Sequence, residues 1–236
     1  MSGKVGFPLV LCAVSLFAAV SIASAGSINY GNYEGTAPSE VDFLSVAESS
    51  STDAVPLFGT PSRYENSLWF FPTTFTSEAQ DGASDTTAGT LTMSIRADEG
   101  CYLTEVVINE YGQYSLAGNG NSGTSASVNG TLWIDTGSQI FSVALDTTPD
   151  SPYVLPPERS DELFFASATI NLPAGVSQVS FSFDDILATT SQDGTTAFIQ
   201  KNVISGPTIG IAVIPEPTTM VLLCGASLAL LKRKKV

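Results

Sequence analysis

Short segments in which apolar and polar residues alternate recur along the centre of the chain. Every second residue is apolar in segment 90–96, and segments 164–172 and 179–183 repeat the pattern. A period of two is typical of a half-buried β-strand, because successive side chains of a strand point to opposite faces. No stretch after Gly26 shows a clear helical period. The sequence therefore predicts an all-β chain.

Turn-forming residues separate these segments. Glycine, asparagine and aspartate tolerate positive φ angles, and they are concentrated at 81–82, 118–123, 129–130 and 193–194. The proline-rich segment 148–157 is predicted to be an exposed loop, since proline has no N–H to donate to a sheet. About ten short strands at this spacing predict a single antiparallel β-sandwich, jelly-roll-like rather than immunoglobulin-like. The predicted strands are 41–47, 67–71, 90–96, 103–109, 113–116, 126–134, 140–146, 164–172, 179–183, 196–204 and 208–213.

The first 25 residues have the form of a secretory signal peptide. Lys4 precedes an apolar run over 5–20, and small residues follow it. Ala23 and Ala25 meet the requirement of signal peptidase for small residues, so cleavage is predicted after Ala25. The alternative is an uncleaved membrane anchor.

A tripeptide, a short apolar stretch and a basic cluster follow one another at the other end. A helix over 218–231 would be about 21 Å long at about 1.5 Å per residue, whereas a hydrocarbon core is about 30 Å thick. The stretch is therefore predicted to cross a membrane only marginally, and the basic cluster lies on the cytoplasmic side. The tripeptide is Pro215, Glu216 and Pro217; the apolar stretch is carried by Met220, Val221, Leu222, Leu223, Leu228, Leu230 and Leu231; the basic cluster is Lys232, Arg233, Lys234 and Lys235.

These residues resemble the PEP-CTERM sorting domain of Gram-negative bacteria. The tripeptide Pro215 to Pro217 matches its signature, 220–231 its transmembrane stretch and 232–235 its basic end. The resemblance implies recognition by an exosortase, a membrane-embedded cysteine transpeptidase-like enzyme, for which the tripeptide is substrate. It also implies removal of the tag and release or attachment of the body at the cell surface, often within an exopolysaccharide matrix. The alternative is a plain C-terminal anchor.

The predicted organisation follows from these boundaries. A signal peptide covers 1–25, a leader or edge strand 26–40, the β-sandwich 41–207, a last strand or tether 208–214, and the sorting signal 215–236. Segment 53–91 is also similar to a pattern common in uncharacterised proteins that bear this tag, which brings no assigned activity. The chain is thus predicted to be exported across the inner membrane, with only a transient membrane anchor.

The body between the tags is strongly acidic. Residues 26–214 contain four basic residues and 22 acidic ones. A surface of this charge repels phosphate backbones, so nucleic acid is excluded as a partner. Cys101 is the only cysteine of the body, so no disulfide can form within it.

The residue types that most enzymes need are missing. The chain has no histidine, which excludes His-based triads and the commonest zinc ligand. A glycosidase that uses two carboxylates stays open. However, Glu105 and Glu110 are predicted to face opposite ways on one strand, as are Asp184 and Asp185. The chain is predicted not to be an enzyme and to need no cofactor.

Two kinds of ligand fit the remaining residues. Asp81 and Asp85 lie in a turn-rich loop and could bind Ca²⁺, although the loop does not match an EF-hand. Trp69 and Phe70, with Phe71 and Trp133, could stack on sugar rings, and the alternative for them is core packing. The prediction is a non-catalytic surface or exopolysaccharide-matrix protein with a structural or adhesive role. The alternative is a carbohydrate-binding module, with or without calcium.

Overall fold

A computed structural model of the protein describes residues 26–36, 40–201 and 208–217. These residues form antiparallel strands and no helix, which confirms the all-β prediction. Accordingly, this part of the chain contains no helix long and apolar enough to cross a membrane. The predicted signal peptide 1–25, the apolar stretch 220–231 and the basic cluster 232–235 lie outside the described residues.

Fifteen strands are formed within the described residues. In chain order they are β1 (Gly26–Tyr33), β2 (Val41–Ser50), β3 (Ser62–Tyr64), β4 (Ser67–Phe70), β5 (Thr76–Gln80), β6 (Ser84–Ala97), β7 (Cys101–Gly118), β8 (Ser125–Asp135), β9 (Ile140–Ala144), β10 (Asp146–Thr148), β11 (Tyr153–Val154), β12 (Arg159–Asn171), β13 (Gln178–Thr190), β14 (Thr195–Gln200) and β15 (Ile209–Pro217).

The strands form two sheets that enclose one core. Sheet A has the order β1-β2-β6-β13-β8-β11, with β9 also paired to β8. Sheet B has the order β10-β12-β7-β15-β4-β3, with β14 paired to both β7 and β5. The inward side chains of both sheets form a single buried apolar cluster, and each buried large side chain contributes about 1.5–3 kcal/mol. This is a β-sandwich; its jelly-roll connectivity stays a prediction.

The alternation of the sequence is also the alternation of burial. In β13, Val179, Phe181 and Phe183 are buried, while Ser180 and Ser182 lie on the other face. The period therefore assigned these residues to the correct faces.

Two local predictions are changed by the structure. Segments 103–109 and 113–116 belong to one continuous strand, β7. Asn129-Gly130 lies inside β8 and not in a turn, because Gly130 pairs with Asp185 and a Cβ there would lie 2.6 Å from Cδ1 of Leu145. The turn at Asp81-Gly82 is observed, with positive φ at both residues.

The two ends of the described chain are both strands. Residues 26–33 form β1, the edge strand of sheet A, which pairs with β2. Residues 209–217 form β15, which lies between β7 and β4 in sheet B. Ile209, Ile211 and Val213 are buried on its inner face, so residues 209–214 belong to a strand of the sandwich.

Candidate functional site

The outer face of sheet A is covered mainly by short polar side chains. Rows of residues run across the sheet through the strand pairs of β6, β13, β8 and β9. One row is Ser94, Ser180, Asp135 and Ile140; the next is Thr92, Ser182, Trp133 and Ser142; the third is Thr90, Asp184, Thr131 and Ala144. Hydroxyls and carboxylates therefore surround a single indole ring.

An open depression of about 600 Å³ lies on this face. Trp133 and Ile140 line it and are 42% and 65% exposed, respectively. The in-register neighbours of Trp133 are Ser182 and Ser142, which are too short to cover its ring. An exposed aromatic face beside hydroxyl groups fits a sugar ring, whose C–H face is apolar and whose rim donates and accepts hydrogen bonds.

Of the aromatic residues predicted to stack on sugar rings, Trp133 lies in this depression, whereas Trp69 and Phe70 lie in β4 of the other sheet. Phe70 is fully buried and packs edge-on against Phe58, with ring centroids 6.2 Å apart, so it contacts the second layer and not solvent. Trp69 faces outward, and its ring covers Gly210, where an added Cβ would lie 2.4 Å from it. Phe71 is 43% exposed.

The two aspartates proposed as calcium ligands stabilise turns. Oδ1 of Asp81 accepts a hydrogen bond from the Gly194 N–H at 3.2 Å, and Oδ2 of Asp85 accepts one from the Glu78 N–H at 3.0 Å. Among the residues that the structure describes, no group of three metal-ligating side chains forms. Calcium binding stays a prediction.

The carboxylates of β7 and β13 meet in an arrangement that was not predicted. Glu110 points inward from sheet B and Asp185 points inward from sheet A, and both are fully buried. Lys201, which follows β14, lies between them and is also fully buried. We call these three residues the ionic cluster.

Lysine bridges the two carboxylates. Nζ of Lys201 donates to Oδ2 of Asp185 at 2.5 Å and to Oε2 of Glu110. Burial raises the pKa of Glu110 to about 8, the Asp185 carboxylate adds to this, and Lys201 opposes it. Burial likewise raises the pKa of Asp185, against the effect of Lys201. The cluster therefore retains a proton on its carboxyl pair near neutral pH.

Aromatic rings close the cluster from one side. Nζ of Lys201 lies 5.2 Å from the centre of the Phe75 ring, within the range of a cation–π contact. Phe75 packs edge-on against Phe58, with centroids 5.3 Å apart. Glu48 holds the loop that carries Phe58, because its carboxylate accepts the N–H groups of Leu57, Phe58 and Gly59 at 2.7–3.2 Å.

Two glycines flank Asp185 in its sheet. Gly89 of β6 and Gly130 of β8 are its partners in register. A Cβ on Gly89 would lie 2.8 Å from the Phe58 ring. The absence of a side chain at Gly89 makes room for the Phe58 ring, which packs on Phe75 beside Lys201.

The members of each acidic pair were correctly predicted to lie on opposite faces of their strand, but the contact between Glu110 and Asp185 was not predicted. A signal was present, because Asp185 continues the inward series Val179, Phe181 and Phe183. Lys201 likewise continues the inward series of β14, in which Ala197 and Ile199 are fully buried. A charged residue in phase with an apolar face indicates a buried, paired charge.

The sorting tripeptide lies where the described chain ends. Pro215, Glu216 and Pro217 form the last residues of β15 and pair with Leu103, Tyr102 and Cys101 of β7. Cys101 is half-buried and has no disulfide partner among the described residues. Burial raises the pKa of its thiol.

Comparisons with known proteins give little beyond this geometry. No family model and no curated protein matches the sequence. The chain is similar to the enzymatically active domain of bacteriophage CBA120 tailspike protein 4, with 11% identity and a TM-score of 0.23 over 60% of this chain and 20% of that one. It is also similar to TmCBM61, solved in complex with beta-1,4-galactotriose, with 12% identity and a TM-score of 0.24 over 76% of this chain and 90% of that one. At these TM-scores neither likeness bears on function.

Proposed function

We propose that the chain is an exported, non-catalytic surface or matrix protein whose β-sandwich binds carbohydrate on the outer face of sheet A. The observation that carries the proposal is the exposed indole of Trp133 in a depression lined by Thr92, Ser180 and Ser182. Stacking on the indole would give affinity, and the hydroxyl rows and Asp135 would fix the orientation of the sugar.

Sheet B is the less suitable face for this ligand. Its exposed aromatic residues include Tyr111, which packs on Phe165 with centroids 5.0 Å apart. On sheet A the in-register neighbours of Trp133 are Ser182 and Ser142, which leave its ring open to a sugar.

The position of one carboxylate pair supports the proposal of a non-catalytic role. Glu110 and Asp185 are fully buried between the sheets, so no glycosidic bond can reach them. The acid–base pair that a carboxylate glycosidase needs would have to face a cleft. A panel of polysaccharides incubated with the protein should therefore show no release of reducing ends.

Binding is tested with the full-length chain on a glycan array and in polysaccharide pull-downs. We expect saturable binding to at least one polysaccharide, weakened at least about tenfold by Trp133→Ala. Trp69→Ala is the matched control, because it removes the only other tryptophan from the opposite sheet. Equal binding by wild type and Trp133→Ala would contradict the site, and loss on Trp69→Ala alone would move it to sheet B.

Export and sorting rest on the sequence at the two ends. We propose cleavage after Ala25 by signal peptidase and recognition of Pro215 to Pro217 by an exosortase, with transient insertion in the inner membrane. Intact-mass analysis of the protein extracted from the cell surface tests this. Recovery of residues 220–236 on the mature protein, in cells with an active exosortase, would contradict sorting by the tag.

A structural role without a ligand is the second candidate. The ionic cluster favours it, because it bridges the two sheets. Absence of binding to every polysaccharide tested, together with retention of the protein in the matrix, would support this candidate over the first.

A further inference from the structure

The ionic cluster contains the two reactants of an amide bond in direct contact. Nζ of Lys201 lies 2.5 Å from Oδ2 of Asp185, one bond from the carboxyl carbon. Nζ also contacts Oε2 of Glu110, and no part of the three side chains is exposed to solvent. We propose that Lys201 and Asp185 form an intramolecular isopeptide bond in the folded protein, and that Glu110 transfers the protons of this reaction.

Burial favours this reaction because it disfavours the charged forms of the two reacting groups. In water a lysine is protonated and an aspartate is ionised, and such a pair does not condense. Without hydration the charged forms lose much of their advantage, so the neutral amine and the neutral acid become accessible. A desolvated lysine is also a stronger nucleophile. The amide product is uncharged, and its formation removes two charges from the core.

The strands hold the reacting groups in place. Asp185 lies in β13, which is paired on both sides by β6 and β8. Glu110 lies in β7, paired by β12 and β15. The N–H of Lys201 donates to the carbonyl of Phe75 at 3.0 Å, which fixes the start of its side chain. Such fixed proximity replaces the entropy that a reaction between free groups would lose.

The step balances without any co-reactant. A proton passes from the Lys201 ammonium to the Asp185 carboxylate, which leaves a neutral amine and a neutral acid. Nζ then attacks the carboxyl carbon, while Glu110 donates its proton to the carboxyl oxygen and accepts one from Nζ. The tetrahedral intermediate expels its hydroxyl as water, which forms the C–N bond, and Glu110 ends in its initial state.

Unpaired carboxyl oxygens also distinguish this cluster from an ordinary ion pair. Within the described residues, Oε1 of Glu110 and Oδ1 of Asp185 are buried without a hydrogen-bond partner. With one proton retained on the two carboxyl groups, the cluster still holds an ammonium and a carboxylate in the core, and burial of both ions is costly. An amide between Lys201 and Asp185, beside a protonated Glu110, removes both charges. It also links sheet A covalently to sheet B in a body whose single cysteine cannot form an internal disulfide.

The bond is tested by intact-mass spectrometry of the full chain under denaturing conditions. We expect the wild-type protein to be lighter than its calculated mass by one water molecule. The loss should map to a branched chymotryptic peptide that joins the strand around Asp185 to the segment around Lys201, and trypsin should not cut after Lys201. The calculated mass, or a loss of water at other residues, would overturn the proposal.

Variants at two positions sharpen the test. Glu110→Gln should retain the calculated mass, because the proton carrier is lost while both reactants remain; a linked Glu110→Gln chain would overturn the role of Glu110. Asp185→Asn should release ammonia in place of water, so that its mass becomes identical to that of the wild type. Asp184→Asn is the matched control, and it should lose water like the wild type. These masses do not depend on carbohydrate binding, so they test the bond separately from the proposed function.

Discussion

The two faces of strand β13 carry the same kinds of residue into opposite environments. Asp184 lies on the outer face and accepts a hydrogen bond from the Thr90 hydroxyl at 2.7 Å. Asp185 lies on the inner face, fully buried against Lys201. Charge alone therefore does not indicate function in this chain. The inner face uses its charges to bridge the two sheets, and the outer face presents short polar groups and one indole to solvent.

The largest effect is expected where the cluster loses Lys201. Lys201→Met leaves two buried carboxyl groups with neither an ammonium partner nor the proposed amide, so it should lower the free energy of unfolding by about 5 kcal/mol. Urea denaturation of the full-length protein measures this. Arg96→Met is the control, because half of the Arg96 side chain is exposed where it pairs with Asp42, so a clearly smaller loss is expected. Equal losses for the two variants would contradict the bridging role of the cluster.

Substitution of the buried Asp185 should likewise lower the free energy of unfolding more than substitution of its neighbour Asp184. Asp185→Ala should lower the free energy of unfolding by about 3 kcal/mol, since it removes a buried partner of Lys201. Asp184→Ala should cost about 1 kcal/mol, the value of one partly exposed hydrogen bond. The comparison is made by chemical denaturation of both variants in parallel. A larger effect for Asp184→Ala would reverse the assignment of the two faces.

Between pH 4.5 and 8 the pH dependence of stability reports on the ionic cluster. The pKa of Glu110 rises from 4.5 to about 8 on folding, so its protonated form is favoured in the folded state. Its contribution is fully present below pH 4.5 and is lost as the pH rises towards 8. The urea midpoint should therefore fall across this interval. Glu110→Gln should flatten that slope, whereas Glu105→Gln, on the opposite face of β7, should leave it unchanged.

The outer face should contribute least to stability. Trp133→Ala removes a side chain that is 42% exposed, so the free energy of unfolding should fall by about 1 kcal/mol, well below the roughly 3–5 kcal/mol of a core tryptophan. Thermal unfolding followed by circular dichroism measures this. A loss of several times that size would show that Trp133 is a packing residue and not a ligand platform.

The sequence was most informative about features that depend on a single strand, namely its position and its buried face. Alternation in segment 179–183 correctly identified the strand and its buried face, because burial follows a period of two within one strand. The same alternation correctly predicted that Glu105 and Glu110 lie on opposite faces of β7. The pairing of Glu110 with Asp185 depends instead on how two sheets stack, which no local pattern encodes. Lys201 and Glu110 are 91 positions apart, and only the register brings them together.

The candidate ligand face was predicted only in part, for the same reason. Trp69 and Phe70, with Phe71 and Trp133, were predicted as candidates for stacking on sugar rings, and of these Trp133 lines the depression on sheet A. Which aromatic residues stay exposed is decided by the neighbouring strands. Serine on β13 and β9 leaves Trp133 open, whereas Trp69 packs on Gly210 and Phe70 enters the core.

Tryptophan fluorescence tests the central claim, that the outer face of sheet A binds carbohydrate, most directly. The chain has two tryptophans, so Trp69→Phe leaves Trp133 as the only reporter and Trp133→Phe leaves Trp69. Each variant is titrated with the polysaccharide that binds wild type best. We predict a saturable change in the emission of Trp133 and none in that of Trp69. A change in Trp69 alone, or in neither residue during saturable binding, would contradict the claim.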